Sequence, residues 1–183
     1  ILDVVEWLHS EVLPGLPIVR TVGRAAVHPT CSTTHMGIND QLRDLTQAAA
    51  DEVLVPEPCY VSYPACVSMA GGVPVTIPTT IDTDFRPTAG DLKRAITERT
   101  RGIILGYPSN PTGTIMPRED LAAIAELAAA HDLFVVSDEI YCHMTYVGEH
   151  TCFPALPGAR ERTLLMNGFS KAYAMTGWRI GYA

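Results

Sequence analysis

The sequence is short of positive charge: 13 lysines and arginines face 20 aspartates and glutamates, for a formal net charge of −7. That removes the basic footprint expected of a protein that grips nucleic acid or an anionic membrane. No apolar run is long enough to cross a bilayer. Residues 1–13 carry Asp3, Glu6 and Glu11 where a secretory leader would be basic and then greasy. A cytoplasmic location, with neither nucleic acid nor membrane as partner, is therefore expected. Cysteine is sparse, at Cys31, Cys59, Cys66, Cys142 and Cys152. An odd number without a C-x-x-C pair argues against a disulfide framework and a self-contained zinc site, and predicts reduced thiols. Aromatic residues make up only 7%, yet apolar residues reach 47% of 183, enough for one sizeable core.

What is present is a rhythm. Leu2, Val5, Leu8 and Val12 recur at helical spacing until Pro14 and Gly15 stop them. Residues 24–28 read as a short strand, and 37–50 as a helix opening near Asn39 and Asp40. From Glu52 onward the spacing predicts strands over 52–56, 73–77, 102–107, 133–137 and 163–166. Helices are predicted over 60–70, 88–99 and 117–131. Strands alternating with helices of ten or more residues imply an α/β fold of three layers, a mostly parallel sheet with helices on both faces. In such folds the ligand sits at the C-terminal ends of strands. Asn110, Asp138 and Lys171 each follow one of those ends.

The chemistry of those residues narrows the choice. Lys171 lies in a turn containing glycine and serine. A lysine there is either a solvated charge or an amine that partial burial and a neighbouring cation, Arg179, help to deprotonate. Asp138 emerges from a run of buried strand residues, where a carboxylate needs a cation or donor; a helix cap and a buried ion pair are the alternatives to a ligand nitrogen. Tyr141, three residues on, can donate to a ligand oxygen or be an ordinary aromatic. In SNPTG, Pro111 pushes Asn110 out of helical geometry and Gly113 permits a tight reversal, aiming the amide at a ligand or simply making a turn. Ser170 and Arg179 are donors suited to phosphate, although Arg179 is equally suited to a structural ion pair. Tyr60 can lie on the face of a flat ligand or belong to the core.

Read in order, SNPTG, SDEIY and SKAYAMTGWRIGY form a joint pattern. Through EPCYVSYPACVSMAGGVPV, YPSNPTGTIMPREDL, VVSDEIYCHMTY and NGFSKAYAMTGWRIGYA, residues 52–183 closely resemble the large domain of class I/II aminotransferases, the fold-type I pyridoxal-phosphate enzymes. Several features resemble the subgroup of aspartate and aromatic aminotransferases. The resemblance implies ping-pong transfer of an amino group between an amino acid and a 2-oxo acid, with pyridoxal 5'-phosphate as cofactor. It implies that Lys171 carries the cofactor as a Schiff base and moves the proton, that Asp138 pairs with the pyridine nitrogen, and that Asn110 and Tyr141 bind the ring oxygen. Arg179 and Ser170 would hold the phosphate, Tyr60 would stack on the ring, and a homodimer is expected.

Two departures accompany the resemblance. The sequence ends at Ala183, directly after GWRIGYA, without the small domain that brings the family's substrate-binding arginine, so a chain that binds cofactor without turnover is the alternative expectation. Upstream, Gly37 to Leu42 imitate the family's phosphate-cradling turn, but Ile18 to Val55, notably VHPTCSTTHMGINDQLRDLTQAAADEVLVP, resemble the C-terminal cysteine-rich region of FAD-linked iron–sulfur D-lactate dehydrogenases. The chain is accordingly expected to divide into an N-terminal α/β segment, 1–51, and a partial aminotransferase large domain, 52–183. A redox module centred on Cys31 is a further alternative. His28, Cys31 and His35 have the right ligand chemistry for a metal but lack a fourth partner. His9, His131, His143 and His150 suggest no partners in the sequence.

Overall fold

The computed structural model describes residues 52–183. The helices and strand expected upstream of Glu52, and the candidate triplet His28, Cys31 and His35, lie outside the described residues. Five parallel strands and one short antiparallel strand form a single sheet, in the order β2-β1-β3-β4-β5-β6. The strands are β1 Glu52–Glu57, β2 Val73–Pro78, β3 Thr100–Gly106, β4 Phe134–Asp138, β5 Thr163–Gly168 and β6 Gly181–Tyr182. Helices α1 Ser62–Met69, α2 Ala89–Ala95 and α3 Arg118–Ala130 connect the first four strands.

Period-two alternation divides the strand side chains between two helical layers. Leu54, Ile103, Leu105 and Val135 point to the face covered by Leu92 of α2 and Ile124 of α3. Val53 and Val55 point the other way and meet Val67 of α1, with Ile104 and Phe134 beside them. The expected three-layer α/β fold with helices on both faces is therefore present. Helix α3 suits its place because Leu121, Ile124, Ala125 and Ala128 recur at helical spacing and are buried. Glu119 and Asp120 in its first turn complement the helix dipole.

Two elements differ from the sequence reading. Helix α2 stops at Ala95 rather than near Arg99. It is capped cleanly: Thr88 Oγ1 accepts from Asp91 N at 3.1 Å, and Asp91 Oδ2 accepts from Thr88 N at 2.8 Å. Its end is drawn off by the buried Glu52, whose carboxylate accepts from Thr97, Thr100 and the Arg99 guanidinium. An ionised carboxylate taken from water needs such donors more than the helix needs another turn. Strand β6 was not anticipated. It is two exposed residues long and antiparallel to β5, pairing Gly181 with Gly168, too short for periodicity to register.

No helix among the described residues is long and apolar enough to cross a membrane. The four cysteines within them, Cys59, Cys66, Cys142 and Cys152, are free thiols, as expected.

Candidate active site

Register brings the chemistry to one edge of the sheet. Gly106 at the end of β3 pairs with Asp138 at the end of β4, which pairs with Met166 in β5. The chain leaves β1 to one side to form β2 and then crosses to form β3 on the other. The strand order thus reverses between β1 and β3, the place where open α/β sheets leave a crevice. A cleft opens there, lined by Pro56, Cys59 and Tyr63 from the β1 side and by Gly106, Tyr107 and Ser109 from the β3 side.

Asp138 is linked to this cleft through Tyr63, one of its lining residues. In β4, Phe134, Val136 and Asp138 share the α1 face, whereas Val135, Ser137 and, just past the strand, Glu139 point to the opposite one. Tyr63, in the first turn of α1, reaches over Gly106, and its hydroxyl donates to Asp138 Oδ2 at 2.8 Å. The second carboxylate oxygen, Oδ1, accepts from Ile140 N at 3.2 Å. Burial, then the Asp138 charge and the hydrogen bond to it, push the Tyr63 phenol far above its usual range, so it stays a donor. Tyr60 stands edge-on to Tyr63, with ring centroids 5.7 Å apart. At 45% exposed, Tyr60 presents a face to solvent and is not a core residue.

Across β4, Lys171 sits in the loop after β5, its Nζ 5.6 Å from the centroid of the Tyr141 ring, within cation–π range. The same loop is tied by its own backbone. Thr176 Oγ1 donates to the Ser170 carbonyl at 3.1 Å, Arg179 donates to the Thr176 carbonyl at 3.0 Å, and Phe169 N donates to the Ile180 carbonyl at 3.3 Å. Arg179 is exposed and left-handed, at φ 53°, a conformation costing an arginine roughly 1–3 kcal/mol. It makes no ion pair among the described residues.

The structure therefore joins Tyr60, Tyr63 and Asp138 on one side, and Tyr141 with Lys171 on the other, with Ser170 and Arg179 carried in the lysine's loop. Asn110 is not joined to them. It is exposed in the turn closed by Gly113 N donating to the Ser109 carbonyl at 2.8 Å. Among the described residues no side chain bonds its amide.

Sequence reasoning passed over Tyr63, although its spacing of three from Tyr60 at a helix start was a visible signal. It also left His150 without a partner. His150 Nε2 lies 2.6 Å from Glu139 Oε2, in a buried cluster where Glu139 Oε1 also accepts from Phe153 N at 2.8 Å and Ser137 Oγ at 3.1 Å. Burial alone would push the Glu139 carboxyl up. The bonds from His150, Phe153 and Ser137, with the charge of His150, outweigh it and hold the carboxyl below its ordinary range.

Comparison with known proteins places this arrangement. The family model described as aminotransferase class I and II matches residues 29–183. The chain belongs to that family. Among these aminotransferases, the aspartate/prephenate aminotransferase of Thermus thermophilus is 47% identical over 163 residues, 86% of this chain and 41% of that protein. The aspartate aminotransferase of Pyrococcus abyssi is 45% identical over 148 residues, 80% of this chain and 37% of that one. In structure, the aromatic aminotransferase of Pyrococcus horikoshii superposes with a TM-score of 0.73 at 44% identity, over 76% of this chain and 38% of the other. The Thermus thermophilus aspartate aminotransferase solved with maleate gives 0.71 at 48% identity, over 76% and 37%. The chain thus spans well under half the length of these aminotransferases. The family match includes residues 29–51, which the sequence also likened to a D-lactate dehydrogenase.

Proposed function

We propose that this chain carries the cofactor-binding part of a pyridoxal-phosphate aminotransferase, exchanging an amino group between an amino acid and a 2-oxo acid. The observation that carries this reading is the lysine amine and the strand-end carboxylate at the mouths of two adjacent parallel strands, β5 and β4, with Tyr141 beneath the amine. The names of the relatives point to aspartate or an aromatic amino acid as the donor. A cytoplasmic homodimer is part of the same proposal.

The donor set fits the cofactor. Asp138 uses one lone pair on each oxygen for Tyr63 and Ile140 N, which leaves further acceptor sites for a protonated pyridine nitrogen. Arg179 spends one guanidinium N–H on Thr176 and keeps the rest for phosphate oxygens, alongside the Ser170 hydroxyl. Tyr60 offers its exposed face to the ring, and Tyr141 and Asn110 are donors for the ring oxygen. When bound, pyridoxal phosphate supplies an electron-withdrawing ring and an aldehyde carbon through which amino groups exchange. The chain's own residues do the rest. Asp138 would pair with the ring nitrogen and favour its charged form, and Lys171 Nζ would carry the proton to and from the substrate α-carbon. The loop tied through Ser170, Thr176 and Arg179 holds the amine in place.

Adding pyridoxal phosphate to the purified protein is expected to produce a visible absorption band distinct from that of free cofactor, absent in Lys171→Ala. An amino acid should then discharge the band. No band with the wild type, or the same band in the variant, overturns the reading. The division at residue 51 is part of the same proposal, and the family match itself begins upstream of it, at residue 29. A redox role for Cys31 predicts iron in anaerobically purified protein, and we expect none.

A further inference from the structure

The geometry points to Tyr63 as a positioning residue for Asp138, and to Gly106 as the gap through which it reaches. This inference rests on the proposed cofactor site but is carried by separate observations. Tyr63 starts α1, beyond β1, while Asp138 ends β4, and β3 lies between those two strands. The phenol must cross β3 to make its 2.8 Å bond, and it crosses at Gly106. A Cβ built on Gly106 would stand 2.5 Å from Tyr63 Oη, 2.8 Å from Cε2 and 3.0 Å from Cζ. Gly106 does not adopt a left-handed φ, so glycine serves here by absence of bulk and not by conformational freedom.

The bond also fixes the carboxylate's plane. With Oδ2 held by Tyr63 and Oδ1 held by Ile140 N, the Asp138 group cannot rotate without breaking one of two bonds. The remaining lone pairs keep a constant direction, which a carboxylate meeting a single ring nitrogen requires. The raised phenol ionisation adds that Tyr63 remains protonated and so never turns a like charge on Asp138. Neither Tyr63 nor Gly106 touches the lysine loop in this scheme; both act through Asp138.

The test uses the full chain as wild type, Tyr63→Phe, Gly106→Ala and the double variant, with pyridoxal phosphate titrated by absorbance. Each single change is expected to weaken binding roughly tenfold, the scale of losses when a supporting hydrogen bond behind a ligand is removed. The double variant should lose no more than the worse single one, because both changes break one contact. Singles without loss, or losses that multiply, overturn the inference.

A second readout needs no cofactor. In protein labelled at tyrosine Cζ, the Tyr63 resonance, assigned by its loss in Tyr63→Phe, should remain un-ionised past the ordinary tyrosine range near about 10. It should titrate at lower pH in Asp138→Asn and in Gly106→Ala. Wild-type protein that fails to bind cofactor would sink the proposed function, and these titrations would still decide the positioning claim. Unchanged titration in both variants refutes it. Should Gly106→Ala fail to fold, Tyr63→Ala combined with Gly106→Ala removes the obstructing ring: a folded double variant supports the clash with Tyr63, and an unfolded one refutes it.

Discussion

Replacing Glu139 with glutamine is expected to cost the folded chain about 3 kcal/mol. The side chain is 4% exposed and accepts from three donors: His150 Nε2 at 2.6 Å, Phe153 N at 2.8 Å and Ser137 Oγ at 3.1 Å. Glutamine keeps one acceptor oxygen but turns an NH2 group against donors where the second oxygen stood, and it leaves His150 without an anion. Leaving buried donors without an acceptor costs about 1–3 kcal/mol and more where a charged group is involved, which puts this change near about 3 kcal/mol. With a urea slope of about 2 kcal/mol per molar, the unfolding midpoint should fall by roughly 1.5 M. The pH dependence has a definite sign. The folded carboxyl titrates below the ordinary value of 4.5, so the stabilisation is present above that value and is lost as pH falls below it. The gap between wild type and variant should therefore narrow in acid. A gap below about 0.5 kcal/mol at pH 7, within the range of ordinary surface substitutions, or one independent of pH, would refute the reasoning.

Thr88→Ala removes the side-chain cap of α2, leaving Asp91 N only the Thr88 carbonyl as acceptor, so a loss of about 1 kcal/mol is expected in the same urea assay. Gly102→Ala would place a methyl 2.6 Å from the Phe134 ring, and a loss of about 1–3 kcal/mol is expected. Phe134→Leu in that background should recover part of it; no recovery would mean that the strain lies elsewhere.

The parallel sheet was legible because its strands are short apolar runs bounded by turn residues, and α3 because leucine, isoleucine and alanine repeat at 3.6. The strand-end positions of Asp138 and Lys171 followed from the same pattern. What the sequence could not convey was which neighbouring groups would compete for a side chain. Thr97 and Arg99 read as the last turn of α2, and only the return of Glu52 to the adjacent strand draws them away. Tyr63 and Asp138 are 75 residues apart, and nothing local to either announces their bond. His150 pairs with Glu139 across eleven residues of irregular chain, where no periodicity exists to be read.

The neighbours Asp138 and Glu139 show how much rests on register. One bonds Tyr63 on the α1 face and the other lies in a buried cluster on the opposite face, and a slip of a single residue in β4 would exchange their faces. Two glycines in β3 oppose that slip. Gly102 pairs with Phe134 at the start of β4, and the Phe134 ring lies across it where any Cβ would collide. Gly106 pairs with Asp138 at the end of β4, and the Tyr63 ring lies across it in the same way. The two gaps are four residues apart and so share a face, the same face as Phe134 and Asp138. A shifted β4 would set Phe134 against a residue carrying a side chain and take Asp138 away from the Tyr63 hydroxyl. The packing that fixes the strand and the hydrogen bond that fixes the carboxylate thus favour the same register.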